Sequence, residues 1–325
     1  MDEDIIEFNK RLSAFRSGSR IKECFHHKKD ECKGDIKQSH SLQRNGRLSI
    51  IEGEVNGNNS VYTFTHFETS KDRFVNDLKP IGKGSASTFF GFCDYHDTVL
   101  FSDIENSNFD SSEKHLFLHT YRSFAHSYHK KHEELKWNES DSEYIKEMPK
   151  AILDFKLNGI RMGIRDMQQK KESLDNCIEN EKYGELSYLY VTYPKAFPIA
   201  CSTAITPDFT YNGTPFNNHT DPDENFSPIM LTVLPDHDST IIILACFPED
   251  DLAMQFLDEL DELYPHQFKK AVSSLMITYA ENTFFSPKYW NGLSAKKKNA
   301  LLNELNENPI TMWESFRISA INFFE

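Results

Sequence analysis

Long apolar runs are missing from this sequence. Nothing in it approaches the roughly 18 consecutive apolar residues that a membrane helix needs, so no membrane-spanning segment is expected. A secretory leader is missing as well. The opening MDEDIIEFNKRLSAF is acidic and amphipathic instead of basic and then apolar, which predicts a cytoplasmic location. There is no internal repeat and no low-complexity tract, which excludes solenoids and propellers. Cysteine is sparse, at six in 325 residues, and in a reducing compartment these thiols serve as buried side chains or metal ligands, not as disulfides.

Several catalytic signatures are also absent. No G-x-S-x-G elbow occurs, and Cys201 and Cys246 have no histidine near them in sequence. GKGSAS at 82–87 lacks the order of a phosphate-binding loop and opens no helix. DPDENFSP at 221–228 lacks the glycine and terminal glutamate of an EF-hand loop. His115 and His119 form an H-x-x-x-H pair, but Lys114 and Leu116 stand where a metalloprotease places its glutamate.

What is present is enough for a globular chain of two domains, with 38% hydrophobic and 13% aromatic residues. The net charge of −14 is uneven. Residues 1–50 hold 11 Lys and Arg against 8 Asp and Glu, a surplus of +3, while residues 151–325 hold 14 against 25, a deficit of −11. A nucleic-acid surface, if the chain has one, belongs to the first third, because the acidic remainder repels phosphate.

The patterning predicts a short helix over 4–16 and a hairpin of two short strands within 46–67, turning at Asn56-Gly57-Asn58. A helix capped by Ser112 is expected over about 113–136, with Phe117, Tyr121, Phe124, Ala125 and Tyr128 on one face. A second long helix is expected over about 144–180. From about 185 the pattern changes to strands: LSYLYVTY, FPIACSTAI, SPIMLTVLP and STIIILACF, the last two joined at Asp236-His237-Asp238. DLAMQFLDELDELY, HQFKKAVSSLMITYAENTFF and AKKKNALLNELN read as closing helices. The expected fold class is α+β, an N-terminal treble-clef-like zinc finger with helices followed by a C-terminal antiparallel sheet packed with helices. The expected domains are 1–140, a helical connector 141–184, and 185–325.

The cysteines sort by neighbourhood. Cys177, Cys201 and Cys246 lie in helical or apolar strand-like runs and are expected in the core. Cys24, Cys32 and Cys93 are flanked by histidines or charges. A structural zinc ion needs four soft or borderline donors, commonly supplied as two pairs on short turns. Cys93-x-x-His96 has the spacing of one pair, and Cys24 with Cys32 supplies the other, with His26 or His27 as possible replacements for one of them.

The order of these parts resembles the His-Me finger, or HNH-like, group of treble-clef zinc proteins, in which a strand bearing a histidine follows the first cysteine pair and a helix follows the second. In particular it is similar to an uncharacterised bacterial subgroup with "SH" after the first pair, here Ser39-His40, and an aromatic and an acidic residue after the second, here Phe101 and Glu105. The resemblance covers about residues 20–130. It implies that His40 is a general base drawing a proton from water that attacks a phosphodiester, assisted by Mg2+ or Mn2+. Two departures stand beside it. Ser39 occupies the place of a cation-holding acid or histidine, and no clear Asn or His follows on the later helix, where Asp97 and Asp103 are the nearby acids.

His119, Arg122, His126 and His129 recur at helical spacing and are expected to form a solvated polar face, or alternatively a cationic rim toward phosphates or a pH-sensitive contact. The expected function is therefore that of a zinc-containing HNH-like protein that cuts or recognises nucleic acid through its N-terminal third, with a C-terminal domain for a protein partner or ligand. A place in bacterial phage defence is the expected context. The alternative is a non-enzymatic interaction or sensor protein whose finger is structural only.

Overall fold

The computed structural model describes residues 17–18, 20–70, 73–140, 143–146, 148–217, 223–306 and 315–325. The helix expected over 4–16 lies outside them, as does part of 221–228. Among the described residues two antiparallel sheets form. The small one pairs β1 (Ile36–His40) with β5 (Thr88–Cys93). The large one has the order β2-β3-β10-β7-β8-β9-β6, with β4 added on β3. Its strands are β2 (Gly53–Val55), β3 (Asn58–Ser70), β4 (Arg73–Gly82), β6 (Ser187–Tyr193), β7 (Ile199–Ile205), β8 (Ile229–Pro235), β9 (Thr240–Cys246) and β10 (Thr283–Phe285).

The four apolar runs after residue 185 become β6 to β9. β8 and β9 are buried at every position, because both of their faces are covered. Alternate side chains point to opposite sides of a strand. Ile242, Leu244 and Cys246 accordingly join a core with α5 (Asp251–Asp261) and α6 (Pro265–Tyr279), built on Phe256, Leu260 and Leu275. Ile241 and Ile243 face the other way, into a core with Leu42, Leu48 and Leu116. Ala245 and Met230 meet Phe117, Tyr121 and Phe124. The sheet takes strands from both sides of the 141–184 connector, since β3 pairs with β10 through Tyr62–Phe285 and Thr63–Phe284.

The helix capped by Ser112, whose hydroxyl accepts from the His115 N–H, runs over Glu113–Asn138 (α3, with α1 Arg47–Ile51 and α2 Asp94–Asn106 before it). It packs on β7 and β8 and against α4 (Lys150–Glu179). The expected solvated face of this helix does not exist: His115, His119, Arg122, His126 and His129 are all buried. The aromatic stripe faces α4, β5 and α2, and the histidine side is covered in turn by Phe25, Phe89 and Phe109, with ring centroids 5.5 Å between Phe89 and His126 and 6.0 Å between Phe109 and His119.

Two smaller differences have local causes. Residues 47–51 form α1 instead of a strand, because Leu48 and Ile51 are three apart and both enter the same core. The end of the run read as one helix, Thr283–Phe285, is the strand β10. It lies between β3 and β7, where its backbone groups find partners on both sides.

Candidate metal centre and the surroundings of His40

Four chain segments converge at the end of the small sheet. Residues 23–25 run beside β5, with the Glu23 and Phe25 N–H groups donating to the carbonyls of Phe90 (3.2 Å) and Gly91 (2.7 Å), and this places Cys24. Cys32 ends the 3-10 turn Lys29–Glu31, its N–H donating to the Lys29 carbonyl. Gly34 then takes a positive φ of 77°, and an added side chain there would come within 3.0 Å of Asp94 Cβ. That close turn lets the carbonyls of Lys33 and Asp35 accept from the Tyr95 and Asp94 N–H groups, which are otherwise unpaired at the start of α2. Cys93 is the last residue of β5 and caps α2, and His96 sits in its first turn.

The donor atoms of Cys24, Cys32, Cys93 and His96 all lie within 4.8 Å of one another. His96 Nδ1 is 3.4 Å from Cys24 Sγ, 3.6 Å from Cys32 Sγ and 3.3 Å from Cys93 Sγ. One imidazole nitrogen has a single proton or lone pair, so it cannot serve three sulfurs as hydrogen-bond partners at once. Three near-equal separations instead describe donors arranged about a common centre. A tetrahedral zinc ion with its usual bond lengths places N and S about 3.6 Å apart. The four residues, a Cys3His cluster, could thus hold a metal ion, and His26 and His27 are not in the set. His26 instead stacks on the His96 ring at 3.9 Å. Burial first, and then His96 and His27, lower its pKa to about 3.

The thiols behave as a crowded set. Burial raises the pKa of Cys93, but the N–H groups of His96 and Lys33 and the neighbouring thiols outweigh it, and the net shift is downward. Desolvation, and then Cys24 and Cys93, push the exposed Cys32 up to about 12. Without a cation, these surroundings favour a thiolate at Cys93 and oppose one at Cys32. A divalent cation at the centre removes that conflict, since a coordinating thiol deprotonates outright.

His40 ends β1, where it pairs with Thr88. Four residues of strand separate it from Ile36, the partner of Cys93, or roughly 13 Å along β1. Its Nε2 is buried with no hydrogen-bond partner, and the same holds for the Ser39 hydroxyl. Desolvation lowers the pKa of His40, helped by Arg122 and Arg44 and opposed by Glu105 and the Gly84 backbone. Arg122, on α3, lies with its Nη1 2.5 Å from Glu105 Oε1, and Glu105 is in the last turn of α2. The two acids singled out on α2 are engaged elsewhere: Asp97 with Lys37 at 3.4 Å and Asp103 with Lys114. Sequence reasoning had placed Arg122 on a phosphate-facing rim as an alternative and Glu105 as a trailing acid. Arg44 had no signal beyond its charge.

The chain matches no family model, no curated protein and no solved structure. Its helices are mixed with antiparallel sheets, and among the described residues no helix is long and apolar enough to cross a membrane.

Proposed function

We propose that the protein is a cytoplasmic, zinc-containing, HNH-like protein that acts on nucleic acid, with His40 as general base in phosphodiester hydrolysis. The observation that carries this reading is the order of parts around the Cys3His cluster. A strand ends in His40, its antiparallel neighbour ends in Cys93, and the helix after Cys93 supplies His96. This order supports a treble-clef plan of strand, strand and helix, with the proposed base on the first strand. Zinc in the cluster would join residues 24–32 to the start of α2 and take no part in the chemistry.

A neutral imidazole at pH 7 is the form a general base needs, and the lowered pKa of His40 provides it. Water loses a proton to His40 as its oxygen bonds to phosphorus. The phosphorus–oxygen bond on the opposite side breaks, and the leaving oxygen takes a proton from solvent. Magnesium or manganese, when bound, would stabilise that leaving oxygen.

The test is cleavage of DNA and of RNA by the zinc-loaded protein in magnesium or manganese, compared with His40→Ala. Loss of cleavage with zinc and fold retained supports the reading, and equal cleavage by the variant ends it. The second reading is a finger that is structural only, in a protein that binds partners without cutting. Ser39 favours it, because a buried hydroxyl stands where an active finger holds a cation. A C-terminal partner and a role in phage defence belong to the same proposal.

A further inference from the structure

Neither the cysteine cluster nor a lone general base accounts for the charges gathered about His40. Arg122 is 97% buried, and burying a guanidinium is costly unless its donors are used. One arm meets Glu105, the face of the group lies 4.4 Å over the Phe101 ring, and Nε is buried with no hydrogen-bond partner. The Nε2 of His40 is in the same condition. The charged side chains gathered around His40 come from three places: Arg44 beside the Gly84 turn, Arg122 from α3 and Glu105 from α2. The Glu105 carboxylate takes Arg122, and its backbone carbonyl accepts from Gln43, next to Arg44, at 2.6 Å. Two cations against one anion leave a surplus of one positive charge.

The next layer does not cancel that surplus. His119 is fully enclosed beside Arg122, Arg47 and His115. Arg47 is already matched by Asp236 at 2.5 Å. Arg44 is exposed, at the open side of the group near the Gly84 turn. In a chain with a net charge of −14, a buried arginine with one unused donor and a second, exposed arginine around one histidine have the composition of an oxyanion site.

We propose that Arg122 and Arg44 bind a phosphate oxyanion of the substrate against His40, so that α3, which follows β1, β5 and α2, completes the site. The substrate class rests on the reading of the chain as one that acts on nucleic acid. Glu105 competes with that oxyanion for Arg122 and aligns its guanidinium until the oxyanion arrives.

The test uses the full-length, zinc-loaded chain without added magnesium, titrated with inorganic phosphate and, in parallel, with a short single-stranded DNA oligonucleotide. Binding is followed by calorimetry and by the ring-proton NMR signal of His40. Phosphate should move the His40 signal and raise its pKa, since an added negative charge favours the imidazolium. Arg44→Ala and Arg122→Lys should each weaken binding about tenfold, the effect of losing one charge-assisted hydrogen bond. Glu105→Gln should bind phosphate more tightly, because the competing carboxylate is gone, whereas a merely structural Glu105 would leave binding unchanged or weaken it.

Arg44 is exposed, so its variant keeps the test decisive even if Arg122→Lys fails to fold. Binding by the folded Arg44 variant equal to that of the wild type overturns the proposal, as does unchanged or weaker binding by a folded Glu105→Gln. Phosphate binding with the expected variant pattern but no oligonucleotide binding overturns the substrate class and identifies a free-phosphate site. Cleavage that depends on His40 but not on Arg44 or Arg122 overturns the proposal and leaves the nuclease reading intact. The expected loss of oligonucleotide affinity with no cleavage in any metal does the reverse.

Discussion

Asn282 donates from Nδ2 to the Ser41 hydroxyl at 2.8 Å, and the same group donates to the Ser202 carbonyl at 2.6 Å. The residue that follows His40 is thereby fixed to β7 and to the turn before β10. Ser202 in turn reaches Ser123 of α3, hydroxyl to hydroxyl at 2.8 Å, and Ser123 reaches Thr232 of β8 at 2.7 Å. A buried chain of polar groups therefore holds the His40 segment, the long helix and the large sheet in one register.

Replacing Asn282 by Ala leaves Ser41 and the Ser202 carbonyl without this donor inside the core. A loss of about 1–3 kcal/mol is expected, the usual cost of a buried group left unpaired. Urea denaturation measures it. Zinc content should be unchanged, since none of the four candidate ligands touches this network. A variant as stable as the wild type would show that water or a neighbouring hydroxyl takes over the role of Asn282.

Metal analysis of the purified protein should find about one zinc per chain, and Cys93→Ala should find almost none. Three remaining donors cannot close the tetrahedron. Zinc sites of this kind contribute on the order of 10 kcal/mol to folding, so the variant should also lose structure around residues 24–32 and 93–96. Zinc-free wild-type protein with a native circular dichroism spectrum would remove the metal from the account.

His40→Ala should retain zinc, because β1 carries the residue roughly 13 Å along the strand from Ile36, the partner of Cys93, and His40 is not among the four candidate ligands. If cleavage is found, the variant should lower it by about 100-fold or more, the size of a general-base effect. Zinc loss from this variant would mean that His40 supports the metal site instead.

Stability should fall on the acid side, starting near pH 6.5. His119 and His126 are fully enclosed, and burial above all holds both well below the ordinary histidine range. Unfolded, they take up protons as the pH drops through about 6.5, while folded they stay neutral until much lower pH. Folding is therefore stabilised by their neutrality above about pH 6.5 and progressively loses that contribution below it. Each adds a slope of about 1.4 kcal/mol per pH unit in that window. Thermal melts from pH 7.5 to 5 would show the decline, and His126→Phe should reduce its steepness. Flat melting temperatures over that range would mean that the histidines are not held neutral.

The parts readable in the sequence are those whose cause is local. β6 to β9 announce themselves as apolar runs because both faces of the central strands are covered. Cys93-x-x-His96 is readable because strand end and helix start are adjacent in the chain. Cys24 and Cys32, though farther apart, stood out as thiols in polar surroundings. The histidines of α3 misled because a helix buried on several sides keeps the periodicity of a half-exposed one. Only the Phe25, Phe89 and Phe109 rings, from distant segments, decide the matter. β10 is three residues long and owes its conformation to partners at 62–63 and 199–201. The grouping of His40, Arg44, Glu105 and Arg122 likewise brings together four segments with no common spacing.

β1 and β5 are not joined by a tight turn. Between His40 and Thr88 the chain leaves for the large sheet and returns, an excursion of 47 residues containing α1 and β2 to β4. Pairing β1 with β5 thus requires closing a long loop, which is slow unless the intervening strands have already found their places. One of those strands, β3, pairs with β10 from near the C-terminus of the chain. During synthesis, Cys24 and Cys32 emerge long before Cys93 and His96, and the large sheet that holds the intervening excursion lacks β10 until residue 285 has been made. The nascent chain therefore passes through a stage in which two free thiols wait for partners not yet built.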